Sequence, residues 1–276
     1  MKTLLAISIT ALLLPASALA ENSQSSAAQT CRAQRAQLGA ATFAATYGTN
    51  ADRSNAFGNC VNRQVQRENA IRHDALKACQ DEQADLTFAA SHGGKTFEQY
   101  YGGGKNNALR NCVAAKTQAA VVHQSQQTVN AAQLCRAQRN AMGTRDFGLL
   151  YGTGKKRANA FGRCVSRMER ASQADELNAA EQCKAEQADP TFLVSHGGKT
   201  FAEFYGRNAD KSDAFGNCVS TKAKAAASER QQATLNAAQT CKGERAANAS
   251  AFRTKYGTNA DKSDAFGRCV SQHAKA

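Results

Sequence analysis

Residues 43–61 read F-A-A-T-Y-G-T-N-A-D-R-S-N-A-F-G-N-C-V, and this phrase recurs along the chain. Its first half, F-x-x-x-Y-G, stands at Phe43/Tyr47/Gly48, Phe97/Tyr101/Gly102, Phe147/Tyr151/Gly152, Phe201/Tyr205/Gly206 and Phe252/Tyr256/Gly257. Five copies exclude chance, so the chain is read as a repeat protein. Phe and Tyr four apart share one helix face, and the glycine that follows is placed to end that helix in a left-handed conformation. The polar turn Gly48-Thr49-Asn50-Ala51-Asp52-Arg53-Ser54 leads into a second helix. Ser54 or Asn55 can cap that helix, which carries Phe57, Cys60 and Val61 in its first two turns.

Each phrase is bracketed by two cysteines: Cys31 and Cys60, Cys79 and Cys112, Cys135 and Cys164, Cys183 and Cys218, Cys241 and Cys269. Disulfides within these brackets are expected. From the first cysteine to the Phe the spacing is 12, 18, 12, 18 and 11 residues, so short and long modules alternate. Modules one and two recur 104 residues later as modules three and four. No helix breaker separates one module's second cysteine from the next module's first. The spacing therefore predicts long shared helices, one from Asn55 to about Ala84 and another ending at Asp189-Pro190. Cysteines 19 residues apart on such a helix, like Cys60 and Cys79, lie about 28 Å apart and cannot bond. The linkers of 19 and 23 residues differ by four, one helical turn plus about 40°, which keeps successive modules facing nearly the same way.

The fold class expected is all-α: five disulfide-stapled helical modules over 21–66, 67–118, 119–170, 171–224 and 225–276, following a signal peptide at 1–20. In each corner a Phe/Tyr pair such as Phe43 and Tyr47, with Phe57 and Val61, fills the space under the disulfide. A loop of about 30 residues closed by a disulfide contributes roughly 3.6 kcal/mol in the chain-entropy view. Weak amphipathicity over 63–77 and 220–232 favours an open array of long helices over a folded-back one.

The compartment is read from the N-terminus. Lys2, the apolar run Leu4 to Leu14 and the small residues Ala18-Leu19-Ala20 match a cleaved signal peptide, and nothing after it is apolar enough to span a membrane. An exported location, periplasmic or extracellular, fits an even cysteine count with no zinc-ligand spacing. Two prolines, no tryptophan and a mean hydropathy of −0.53 argue against one large core.

The combination of C…F-x-x-x-Y-G…A-F-G-x-C-V-S, closest at Ala160 to Ser166, Ala214 to Ser220 and Ala265 to Ser271, resembles exported bacterial proteins built from such helical modules. The resemblance covers nearly all of the chain after the signal segment and implies the architecture but no activity. Module two departs from it, with Leu109 and Arg110 where Phe and Gly stand elsewhere.

Catalysis finds no motif. His73, His92, His123, His196 and His273 are scattered, and no cofactor or metal is expected. The turns 208–213 and 259–264 are acidic but lack the glycine and bidentate Glu of a calcium loop, so helix capping explains them better. The two long modules share the heptapeptide Ser-His-Gly-Gly-Lys-Thr-Phe at 91–97 and 195–201. It lacks the first glycine of a phosphate loop, with Ala89 and Leu193 there. His92, Gly93, Gly94 and Lys95, with His196, Gly197, Gly198 and Lys199, are nevertheless candidate anion-binding residues; the plainer reading is that the glycines end one helix and the Thr caps the next. The 35 basic residues against 22 acidic give a net charge of +13, which suits a polyanionic surface or polymer as partner. The basic residues are read as interspersed with acidic ones and Gln rather than gathered in a run. The function expected is a non-catalytic structural or interaction protein of the envelope or extracellular space, with polyanion binding as the alternative.

Overall fold

The computed structural model describes residues 23–103, 105–154 and 156–274. The signal-peptide reading at 1–20 lies outside them. The described residues form helices and no strands: α1 (Ser23–Leu38), α2 (Ala40–Tyr47), α3 (Ala56–Ala84), α4 (Phe88–Ser91), α5 (Phe97–Tyr101), α6 (Lys105–Met142), α7 (Thr144–Tyr151), α8 (Ala160–Ala188), α9 (Phe192–Ser195), α10 (Phe201–Tyr205), α11 (Ala214–Ala247), α12 (Ala249–Tyr256) and α13 (Ala265–His273). The pattern is the expected one, a long helix, a short aromatic helix and the next long helix. Long modules insert a one-turn helix, α4 or α9, which accounts for their extra residues.

All ten cysteines pair inside their brackets, with Cα atoms 5.9 to 6.1 Å apart, and none is free. Every disulfide is fully buried. Around it sit the phrase aromatics: Phe43 and Tyr47 are buried with ring centroids 4.9 Å apart, and Phe147 and Tyr151 repeat that geometry at 4.9 Å. Phe57 and Val61 are only partly buried. In the long modules Phe88 and Phe97, or Phe192 and Phe201, pack directly on the disulfide, and Leu109 and Val113 join the former cluster. Leu109 thus keeps the apolar contact where module two departs from the repeat.

Two sequence expectations about the turn are corrected. Gly48, Gly152, Gly206 and Gly257 are extended, with φ between −73° and −82°; Gly102 alone of the five is left-handed, at +72°. In each of the other four turns a basic residue five positions on is left-handed, Arg53, Arg157, Lys211 or Lys262, at φ 48° to 58°, joined in the Gly152 turn by Gly154 at 69°. Its side chain folds over the glycine, where a Cβ at Gly152 would lie 2.6 Å from Arg157 Cβ and one at Gly257 would lie 2.7 Å from Lys262 Cβ. The glycine is there for close approach, not for its φ. The second correction concerns Asn55 and its equivalents, which do not cap the helix that follows. Asn55, Asn159, Asp213 and Asp264 turn back, each accepting from the backbone N–H of Thr49, Thr153, Arg207 or Thr258 at 2.9 to 3.1 Å. The acidic turns therefore serve their own backbone, as Asx-type turns do.

The chain forms two compact units, one holding Val61–Val121 with the described residues up to Thr30, the other Cys31–Cys60 with the described residues from Val122 on. The first contains the Cys79–Cys112 corner, with Ser26 Oγ donating to Glu68 at 3.1 Å. In the second, α8 and α11 pack along each other, tied by Arg230 and Asp175 at 2.7 Å. The open arrangement expected from weak amphipathicity does not hold in this unit, because small alanine faces such as Ala179, Ala237 and Ala238 are buried there.

The three short-module corners of this unit stack in register. Arg53 donates to Ala158 O at 3.1 Å, and the equivalent Arg157 donates to Ser263 O at 3.1 Å. Gly162 of α8 meets the end of α2, where an added Cβ would lie 2.8 Å from Thr46 O; Gly267 of α13 meets α7 likewise, 3.3 Å from Leu149 O. The glycine of A-F-G is thus the stacking contact between corners.

Candidate functional site

Each corner carries one polar side chain beside its disulfide, three residues after the first cysteine. Gln34 and Gln138 are fully buried and accept from the hydroxyls of Tyr47 and Tyr151 at 2.5 and 2.6 Å. Glu82, Glu186 and Glu244 occupy the same place and accept from Tyr101, Tyr205 and Tyr256, each at 2.9 Å. Where the residue is Glu, a nitrogen-bearing side chain four positions after the second cysteine answers it: Lys116 at 2.8 Å, Lys222 at 2.7 Å or His273 at 3.2 Å. Burial pushes Glu82 and Glu186 up, but the lysine and tyrosine hydrogen bonds outweigh it and hold both below the usual carboxylate range. Tyr205 is pushed up to about 12 by burial and by the Glu186 carboxylate, and Tyr151 to about 12 by burial. A phenol held protonated is a hydrogen-bond donor, so these groups are joints of the fold. The C-x-x-Q/E spacing that marks them is present in all five modules and was legible, though the sequence reading did not use it. Cys241, Cys269 and His273 lie close enough to suggest metal ligands, but both sulfurs are in the disulfide.

The duplicated heptapeptide has one geometry in both copies. Gly93 and Gly94 are left-handed, at φ 64° and 80°, as are Gly197 and Gly198 at 66° and 79°. The Gly94 N–H is bonded to Ala89 O at 2.7 Å and that of Gly198 to Leu193 O at 2.8 Å. Lys95 and Lys199 bond through their N–H to His92 and His196 carbonyls at 3.3 and 3.4 Å. Thr96 and Thr200 form capping boxes with Gln99 and Glu203. His92 stacks on Phe88 at 3.7 Å and His196 on Phe192 at 3.7 Å, each with Nδ1 2.9 to 3.0 Å from that Phe's carbonyl. The N–H groups of Gly94, Lys95, Gly198 and Lys199 are committed to the turn, and the exposed Lys95 and Lys199 side chains are its outward charge.

A different place gathers positive charge. A cleft of about 450 Å³ in the second unit is lined by Arg53, Arg139, Arg145, Lys156 and Arg157 over a floor of Phe147, Gly148, Ala160 and Phe161, with no acidic residue in its lining. Arg139 lies over the Phe161 ring at 5.4 Å, and Arg157 also donates to Gly148 O at 3.3 Å. None of the five cations forms an ion pair among the described residues, whereas a larger cleft of about 570 Å³ beside Phe192 holds Asp189 and Lys211 together. Its sequence signal was the run Lys155-Lys156-Arg157, which contradicts the reading of the basic residues as interspersed; the contribution of Arg53, about a hundred residues earlier, had no local signal.

No protein-family model, curated protein or solved structure matches the chain. Five disulfides belong to an oxidising, non-cytoplasmic environment. Among the described residues no helix is long and apolar enough to cross a membrane.

Proposed function

We propose that this is a non-catalytic interaction protein of the cell envelope or extracellular space, in which disulfide-locked helical corners hold a basic surface toward polyanionic partners. The observation that carries the reading is the cleft of five cations without an acidic neighbour. Gathering like charges costs stability unless something of opposite charge visits, and a cleft focuses the field. Many side chains that do chemistry in other proteins serve structure here: the cysteines in disulfides, the five tyrosines of the repeated phrase on their Gln or Glu partners, His92 and His196 in stacking. Export of the chain rests on its N-terminal sequence, and the disulfides agree with it. The test is retention of the oxidised protein on a heparin or DNA column beside a helical control of equal net charge. Elution at clearly higher salt than the control is expected; co-elution would show net charge alone at work and overturn the reading.

A further inference from the structure

The stacked corners supply their own comparison. Where the corner of Cys241–Cys269 sits on that of Cys135–Cys164, the basic residue four after the first cysteine, Arg245, is ion-paired with Asp146 at 2.9 Å, and Lys242 reaches the same carboxylate at 3.6 Å. One step earlier in the stack the same positions are Arg139 and Arg136, and the residue in Asp146's place is Thr42. Arg136 bonds to Thr42 Oγ1 and Leu38 O, so it is held by neutral oxygens. Arg139 has no carboxylate. The internal counter-ion present at one junction is missing at the other, and the five-cation cleft is at the junction that lacks it.

We infer that this cleft is a binding site for clustered phosphate groups, an inference that rests on the polyanion reading above and assigns it a place and a ligand chemistry. Four of the five cations are guanidinium groups; Arg157 spends its fork on Gly148 O and Ser263 O and Arg53 one arm on Ala158 O, while the forks of Arg139 and Arg145 can match two oxygens of one phosphate at once. The space, about 450 Å³, is that of a small-ligand cleft and admits only a few anionic groups. Neutralising five cations within it calls for high charge density. A phosphate brings up to two charges and three acceptor oxygens, where a carboxylate or sulfate ester brings one charge. Arg145 and Lys156 are exposed and make no hydrogen bond that fixes them, so they can close over a ligand, while Arg53 and Arg157 are anchored on Ala158 O and Ser263 O and set the walls. The site is composite, since Arg53 comes from the corner closed by Cys31–Cys60 and the other four cations from the next corner in the stack.

The test is calorimetric titration of the full oxidised protein with inorganic tripolyphosphate, alongside orthophosphate and a sulfated oligosaccharide of equal total charge. Two double variants accompany it: Arg145→Ala with Lys156→Ala in the cleft, and Lys95→Ala with Lys199→Ala in the heptapeptides. Tripolyphosphate is expected to bind at least tenfold more tightly than either other anion. The cleft variant should lose at least tenfold while the heptapeptide variant stays within about twofold. Equal losses in both variants would mean a diffuse field and overturn the site, and a loss confined to the heptapeptide variant would move it there. Tighter binding of the sulfated sugar would overturn the phosphate assignment. No binding of tripolyphosphate by a protein that still exceeds its control on the polyanion column would sink this site and leave the proposed function standing.

Discussion

Tyr151 is buried, and its hydroxyl reaches Oε1 of the fully buried Gln138 at 2.6 Å. Removing the hydroxyl strands a buried acceptor, so Tyr151→Phe should cost about 1–3 kcal/mol, read as a shift of the urea midpoint at unchanged slope. Where Glu replaces Gln the joint becomes sensitive to acid. Glu82 and Glu186 titrate lower in the folded than in the unfolded chain, so their contribution is present above the ordinary carboxylate value of 4.5 and is lost as pH falls through the lower folded value. The tyrosines run the other way. Tyr151 and Tyr205 are raised to about 12, so what they contribute is intact below pH 10 and is lost as pH rises through 12. Replacing Glu82 and Glu186 together by Gln should flatten the acid limb of a stability-against-pH curve and shrink the share of the alkaline limb that Tyr205 owes to the Glu186 carboxylate, leaving the share of Tyr151, which burial alone raises; an unchanged acid limb would remove these carboxylates from the account. The sequence showed the residues of this joint at fixed spacing from the cysteine. What it did not show is that the Tyr hydroxyl points back to them, because that depends on how the short helix lies under the disulfide.

Among the helices, identical words acquire different meanings. A-F-G-x-C occurs in α8 and α11, yet a Cβ on Gly162 would lie 2.8 Å from the Thr46 carbonyl while one on Gly216 would meet nothing within 4 Å. Gly216→Ala should therefore stabilise by about 0.5–1 kcal/mol, as expected for Gly in a helix interior, whereas Gly162→Ala should destabilise by about 1–3 kcal/mol by forcing two corners apart. Thermal melts of the two variants check this directly, and equal shifts would contradict the stacking of the first short corner on the second. Helix identity and the ends at Ala84 and Ala188 were readable from breakers and spacing. The role of glycine after Tyr was misread as left-handed because the residue that takes that conformation, such as Arg157, is basic and carries no glycine-like signal.

For the molecule as a whole, the repeat announced the corners and their number, since each closes locally within 28 to 35 residues. The stacking of corners more than a hundred residues apart and the cleft made between two of them had no such signal, because weak amphipathicity concealed that alanine faces are buried. All of it depends on each corner being covalently self-contained. Ten cysteines can be paired in about 945 ways by simple counting, so peptide mapping of the unreduced protein is a demanding measurement. The account predicts five bonds and no others: Cys31 with Cys60, Cys79 with Cys112, Cys135 with Cys164, Cys183 with Cys218, and Cys241 with Cys269. A bond joining two different corners in the native protein would contradict it.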